Sequence, residues 1–234
     1  MKLRIPGSSV DPDAFADFYR FPEGREESAP LVIWAGGAIS SESYEARRDL
    51  EPVPVVAELE AARQRLGGAP CDALLLSTPP TLQHFESSAE LFRRFLAFEV
   101  FPLLPAPHPT GLGLVGISFG AHLLTGFACR RSDARALAAI GGVGLWTAIE
   151  ACGGQPPPQL EICCFTNDLD FAGFFAYELV EELRARGRSV ELVERAGDHP
   201  FADYAGNGSV ADAFAFVLER VTAGRGSPAP AAQR

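Results

Sequence analysis

The sequence predicts an α/β protein built on one doubly wound, mainly parallel sheet. Three observations carry this. From Leu31 onward, short apolar runs alternate with longer amphipathic stretches, the strand–helix rhythm of a parallel sheet covered by helices. The apolar runs are continuous rather than alternating, as in strands buried on both faces. Finally, Leu112–His122 reads Leu-Gly-Leu-Val-Gly-Ile-Ser-Phe-Gly-Ala-His, an apolar strand that turns sharply into a helix through Gly116-Ile117-Ser118-Phe119-Gly120.

Taken in order, Lys2–Ile5 and Ala16–Phe21 are β-prone and separated by Pro6-Gly7 and Asp11-Pro12, so they are expected to pair antiparallel. Leu31–Trp34 is a buried strand ending at Ala35-Gly36-Gly37-Ala38. The polar Ile39–Pro54 stretch reads as a long loop with at most a helical turn, and such loops tend to be functional. Val55–Leu66 has helical spacing and stops at Gly67-Gly68. Ala73–Leu76 is the next strand. Glu86–Phe101 carries Leu91, Phe95, Phe98 and Phe101 near helical spacing and is closed by Pro102. Ala136–Ile140 and Leu160–Phe165 are strands, Phe171–Arg186 a helix, Ser189–Val193 a strand. Ser209–Val221 is a helix opened by the capping pair Ser209 and Asp212. Residues 1–222 are expected to form one domain, and 223–234, rich in Gly, Pro and Ala, a disordered tail.

Composition excludes several functions. The net charge of −10, from 30 acidic against 20 basic residues, provides no basic footprint for nucleic acid or an anionic membrane. No apolar run is long enough to span a bilayer, and Met1–Val10 lacks the apolar core of a signal peptide. A cytoplasmic protein is therefore expected. The five cysteines, Cys71, Cys129, Cys152, Cys163 and Cys164, show no metal-binding spacing. They read as reduced thiols, with Cys163 and Cys164 on opposite faces of one strand. No metal or organic cofactor is implied.

The Ser118 turn carries the chemistry. A serine on so tight a turn projects its Oγ from the backbone, and only small flanking residues let strand and helix pass each other, hence Gly116 and Gly120. The Phe119 amide then lies at a helix N-terminus, where negative charge is favoured. A serine hydroxyl needs a base, and the base needs an acid to fix its tautomer. His199, between the last strand and the last helix, is the candidate base. His84, His108 and His122 read as structural or solvent-facing. Asp168 is the candidate acid, being nearer the strand end, while Asp170 reads as a cap for the following helix and is the alternative. Gly37, with Ala38 in reserve, is the candidate second oxyanion donor.

The order Ser118, Asp168, His199, each just after a strand, resembles the α/β-hydrolases over Leu31–Val221. The resemblance implies the α/β-hydrolase fold, the catalytic residues Ser118, Asp168 and His199, and cleavage of a small-molecule ester through an acyl-enzyme. The family often carries His-Gly-Gly where this chain has Ala35-Gly36-Gly37, and a loop glycine where Phe165 or Thr166 stands. Phe95–Leu104 is similar to the corresponding segment of esterase D-like proteins, and Asp168–Phe201, ending His-Pro-Phe, resembles dienelactone hydrolase-like proteins, which commonly use cysteine instead of serine. Leu145–Pro158 is too short to hold the large cap domain that many members insert there. The site is thus expected to be open unless Ile39–Pro54 folds over it. Arg47 and Arg48 in that segment read either as solvated charges or as partners for a substrate anion, and Phe119, Phe201 and Trp34 as possible acyl-pocket residues, with Trp34 better placed in the core. A thioesterase with the same residues, or a silent scaffold that binds a ligand, are the competing readings.

Overall fold

Long apolar runs with no alternation can be satisfied only between two layers of helix, and this is how the central strands sit. The computed structural model describes residues 1–24, 27–47, 49–50, 52–82, 85–105 and 111–223. Its eight strands are β1 (Lys2–Pro6), β2 (Asp13–Phe21), β3 (Leu31–Ala35), β4 (Cys71–Leu76), β5 (Leu112–Ile117), β6 (Ala134–Ile140), β7 (Glu161–Asn167) and β8 (Val190–Arg195). They form one sheet in the order β1-β2-β4-β3-β5-β6-β7-β8. β1, β2 and β4 are antiparallel neighbours, and every pairing from β4 to β8 is parallel. Every residue of β3, β4 and β5 is buried.

The helices are α1 (Ser41–Arg47), α2 (Val53–Arg65), α3 (Phe85–Phe95), α4 (Phe119–Ala128), α5 (Leu145–Glu150), α6 (Gly173–Ala185), α7 (Phe201–Gly206) and α8 (Ser209–Ala223). One face of the sheet packs on Phe92 and Phe95 of α3, Leu123 and Phe127 of α4, and Leu179 and Leu183 of α6. The other packs on Leu59 of α2 and on Phe214 and Val217 of α8. Each such side chain contributes roughly 1.5–3 kcal/mol by leaving water. Cys163 belongs to one face and Cys164 to the other, as period-2 geometry requires, and all five cysteines are free thiols.

Several expectations differ from the structure. The 39–54 segment holds the helix α1, and α2 starts at Val53 rather than Val55, because a proline in the first turn sacrifices no intrahelical bond. The helix expected over Glu86–Phe101 is regular only to Phe95, then widens over Leu96–Val100 and tightens over Phe101–Leu103, where Pro102 cannot donate. The short helix α7 was hidden between the last strand and last helix. Ser209 and Asp212 form no capping pair: Asn207 Oδ1 accepts from the Ser209 amide at 3.1 Å, and the Asp212 carboxylate is drawn off to Arg65, at 2.5 Å, and Arg195. Of the tail, Ala223 still belongs to α8 and 224–234 lie outside the described residues. Among the described residues no helix is long and apolar enough to cross a membrane.

Candidate active site

The site begins at the junction of β5 and α4. Ser118 occupies it with φ 54° and ψ −124°, the only positive φ at a non-glycine among the described residues. That conformation is costly for a side chain, and the surroundings enforce it. The Ser118 amide donates to the Ile140 carbonyl at 2.8 Å, and the Ser118 carbonyl accepts from the Ala121 amide at 3.1 Å. At Gly120 the helix is pressed onto β3, where a Cβ would fall inside the Ala35 and Gly36 carbonyls. The backbone therefore turns within one residue and leaves the Ser118 hydroxyl at the end of the strand. The Phe119 amide is the first of the α4 N-terminal donors that no intrahelical carbonyl can satisfy.

His199 meets this hydroxyl from the loop after β8. Its Nε2 lies 3.0 Å from Ser118 Oγ, and its Nδ1 lies 2.8 Å from Asp170 Oδ1. A carboxylate can only accept, so Nδ1 carries the proton and Nε2 is left to accept from the serine hydroxyl. The exposed Phe171 ring flanks the imidazole at 4.5 Å between centroids.

Asp170, not Asp168, touches the histidine, and this corrects the expected geometry. The Asp170 side chain is fully buried, where a carboxylate survives only if its lone pairs are filled. Oδ1 accepts from the Ala172 amide at 2.7 Å as well as from His199, and Oδ2 accepts from the Tyr204 hydroxyl. The local, helix-entry bond expected of Asp170 is therefore present, but it does not exclude contact with His199. Asp168 is exposed and takes the Gly197 amide at 3.0 Å, while its own amide donates to the Arg195 carbonyl at 2.8 Å. It stitches the loop after β7 to the loop after β8.

Sequence reasoning missed the residues that hold these two loops. Tyr204, wholly buried on α7, has its phenol pushed up by burial and then by the Asp170 contact, so it stays a donor to Asp170. Gly141 makes room for that pair: its φ is 47°, and a Cβ there would lie 2.7 Å from both Asp170 Oδ2 and the Tyr204 hydroxyl. Buried Asn167 donates to the Asp198 carbonyl at 2.8 Å and accepts from Asn207 at 2.8 Å. Asn207 in turn donates to the Ala196 carbonyl at 3.0 Å. The one available signal was the density of Asn, Asp and Gly after β7 and β8, residues that bond backbone groups in turns.

Beside Ser118 opens a cavity of about 430 Å³ lined by Trp34, Gly37, Ile39, Leu75, Ile117 and Phe201. Arg47, Leu50 and Pro52 also line it, so described residues of the 39–54 segment border the site. Gly37 is packed against Ser118: a Cβ on it would lie 3.1 Å from Ser118 Cβ. The neighbouring turn is pinned to β4, with the Gly36 amide donating to the Leu76 carbonyl at 2.9 Å and Thr78 Oγ1 to the Gly36 carbonyl at 2.6 Å. Trp34 combines both roles expected for it, lining the cavity while packing on Phe201 and Phe214. The Phe119 side chain does not line the cavity and is buried, stacked on His122, and His122 Nδ1 lies 2.8 Å from the Gly144 carbonyl. His84, His108 and Arg48 lie outside the described residues.

No family model and no curated protein matches the chain. Solved structures do. A ferulic acid esterase from Anaeromyces mucronatus, in complex with ferulic acid, superposes over 95% of this chain and 90% of that one with a TM-score of 0.68 at 14% identity. The feruloyl esterase module from Clostridium thermocellum, complexed with sinapinate, covers 94% and 89% with a TM-score of 0.66 at 12% identity. The chain has the α/β-hydrolase fold. An S-formylglutathione hydrolase from Staphylococcus aureus shares this α/β-hydrolase architecture over 93% of this chain and 98% of that one, with a TM-score of 0.64 at 12% identity.

Proposed function

We propose that the protein is a serine esterase acting on small or medium carboxylic esters through an acyl-enzyme. The observation that carries this is the unbroken hydrogen-bonded line from Ser118 Oγ through His199 to the buried Asp170 carboxylate. Ser118 Oγ attacks the ester carbonyl while His199 Nε2 takes its proton. Asp170 holds the Nδ1 proton and stabilises the imidazolium that forms. The Phe119 and Gly37 amides are the proposed donors to the oxyanion, at a helix N-terminus and beside Ser118 respectively. His199 then returns the proton to the leaving alcohol. Water, deprotonated by the same imidazole, releases the acid and regenerates the serine. Every electron pair is supplied by Ser118, water and the substrate, so the cycle calls for no cofactor.

A thioester would pass through the same steps, a reading favoured by the similarity to an S-formylglutathione hydrolase. Intact mass after fluorophosphonate treatment tests the core claim. A single adduct on wild type, absent from Ser118→Ala, is expected, together with a loss of about 10,000-fold in turnover of 4-nitrophenyl butyrate. Wild-type protein that is folded but takes no adduct would leave a ligand-binding scaffold as the reading.

A further inference from the structure

The cavity next to Ser118 is mostly apolar, yet among the described residues it contains one permanent cation, Arg47. Among the described residues, most guanidinium groups are paired with carboxylates. Arg4 pairs with Asp49, Arg20 with Asp72, Arg65 with Asp212 and Arg131 with Asp133. The Arg47 guanidinium has no hydrogen-bond or ion-pair partner among the described residues. The cavity's carboxylate, Asp17, is already bridged by Lys2 at 3.3 Å.

The backbone beneath Arg47 is anchored. Tyr44 of α1 is buried and packs on Phe15 at 5.0 Å between ring centroids. Lys2 Nζ donates to the Arg47 carbonyl at 3.5 Å and the Leu50 carbonyl at 2.9 Å. A basic residue in the last turn of a helix is favoured by the helix dipole, which accounts for its place in the sequence but not for the side chain facing the site. Nη1 reaches the Gly36-Gly37 turn: a Cβ on Gly36 would lie 4.0 Å from it, while one on Gly37 would lie 3.6 Å from Ser118 Oγ. These contacts, joined through adjacent Cα atoms, bound the guanidinium to within about 15 Å of Ser118 Oγ.

We propose that Arg47 is a specificity-determining residue that receives the terminal carboxylate of the acyl chain, making half-esters of dicarboxylic acids the favoured substrates; this rests on the serine hydrolase reading above. The leaving alcohol must pass His199 to collect its proton. The acyl part is assigned to the side of the cavity along Gly36 and Gly37, where Arg47 lies. A planar guanidinium fork matches a carboxylate in two parallel bonds, and the walls of Trp34, Ile39 and Leu50 suit the methylenes between the two groups.

The test compares mono-4-nitrophenyl adipate with 4-nitrophenyl hexanoate, which have acyl chains of equal length. In wild type the adipate half-ester is expected to have the higher kcat/KM. Arg47→Gln is expected to lower the adipate-to-hexanoate ratio on the order of tenfold, the scale of one charge-assisted contact at a partly open site. Arg47→Lys should restore part of it, and raised ionic strength should shrink it in wild type. A ratio unchanged by Arg47→Gln while both esters turn over overturns the anion site and leaves the esterase reading standing. A second readout separates the two: monoethyl adipate binding to Ser118→Ala, followed by NMR, is expected to be lost in the Ser118→Ala, Arg47→Gln double variant. Arg47-dependent binding in a protein that turns over neither ester would keep the anion site and sink the esterase reading. Equal binding by both variants would overturn the anion site.

Discussion

Ser118 is held by a strand and a helix that meet within one residue, whereas Asp170 and His199 are held by two loops tied together by side chains as well as by the backbone bonds from the Asp168 and Leu169 amides to the Arg195 and Gly197 carbonyls. On the Ser118 side the constraints are backbone ones: the amide bond to Ile140, the carbonyl bond from Ala121 and the pressure of Gly120 on β3. On the other side they are polar contacts between residues distant in sequence, such as Tyr204 to Asp170, Asn167 to the Asp198 carbonyl and Asp168 to the Gly197 amide. The first half is rigid by backbone sterics. The second is a network, and networks fail one member at a time. Ser118 is thus placed by the fold itself, and the Asp170–His199 pair by a polar scaffold added to its rim.

The sharpest way to break this contrast lies within the network. Asp170→Asn should lower kcat by about 10,000-fold, because an amide at this position favours the wrong imidazole tautomer. Asp168→Asn, whose side-chain bond is to the Gly197 amide, should lower it by less than about tenfold, its effect being on the order of one ordinary hydrogen bond. Paired steady-state kinetics decide this, and the opposite ranking would return the acid role to Asp168. On the steric side, Gly120→Ala should force α4 away from β3. A loss of about 1–3 kcal/mol in stability and of about 100-fold in kcat from displacement of Ser118 is expected, measured by denaturant unfolding and by turnover. Near-wild-type behaviour would mean that the turn is less tightly built than its geometry implies.

Smaller effects sharpen the comparison. Tyr204→Phe removes one of three donors to the buried Asp170 carboxylate. It should destabilise by about 1–3 kcal/mol and lower kcat about tenfold with KM little changed. The same phenol predicts a pH dependence. Its folded pKa is raised above its ordinary value of 10.0, so its contribution is fully present below that value and is lost as pH rises through the higher folded one. Melting temperatures followed upward from about pH 10 should fall more steeply in wild type than in Tyr204→Phe. Parallel slopes would mean that Tyr204 does not lend its proton to Asp170.

How much was legible follows the same division. Gly116-Ile117-Ser118-Phe119-Gly120 was readable because a strained turn between a strand and a helix admits few residue types, all adjacent in sequence. The buried strands were readable because burial on both faces leaves a continuous apolar run. The choice of acid was not readable, since Asp168 and Asp170 stand two residues apart after the same strand. Only the path of the loop decides which carboxylate is turned inward. Helix α1 was obscured because it is short and mostly exposed, with Tyr44 its one buried side chain, so no apolar stripe marks it. The capping pair expected at Ser209 failed because Arg65 and Arg195, far away in sequence, compete for the Asp212 carboxylate.

By itself, then, the amino-acid sequence determined the layered α/β architecture, the strand that carries Ser118 and the loop that carries His199, since each depends on local sterics or on hydrophobic period. Tertiary structure alone decided that Asp170 faces the imidazole, that Tyr204 and Gly141 shape the pocket holding its carboxylate, and that α1 brings Arg47 over the cavity. These depend on which distant groups meet, and a buried charge settles wherever the fold supplies enough donors to replace water.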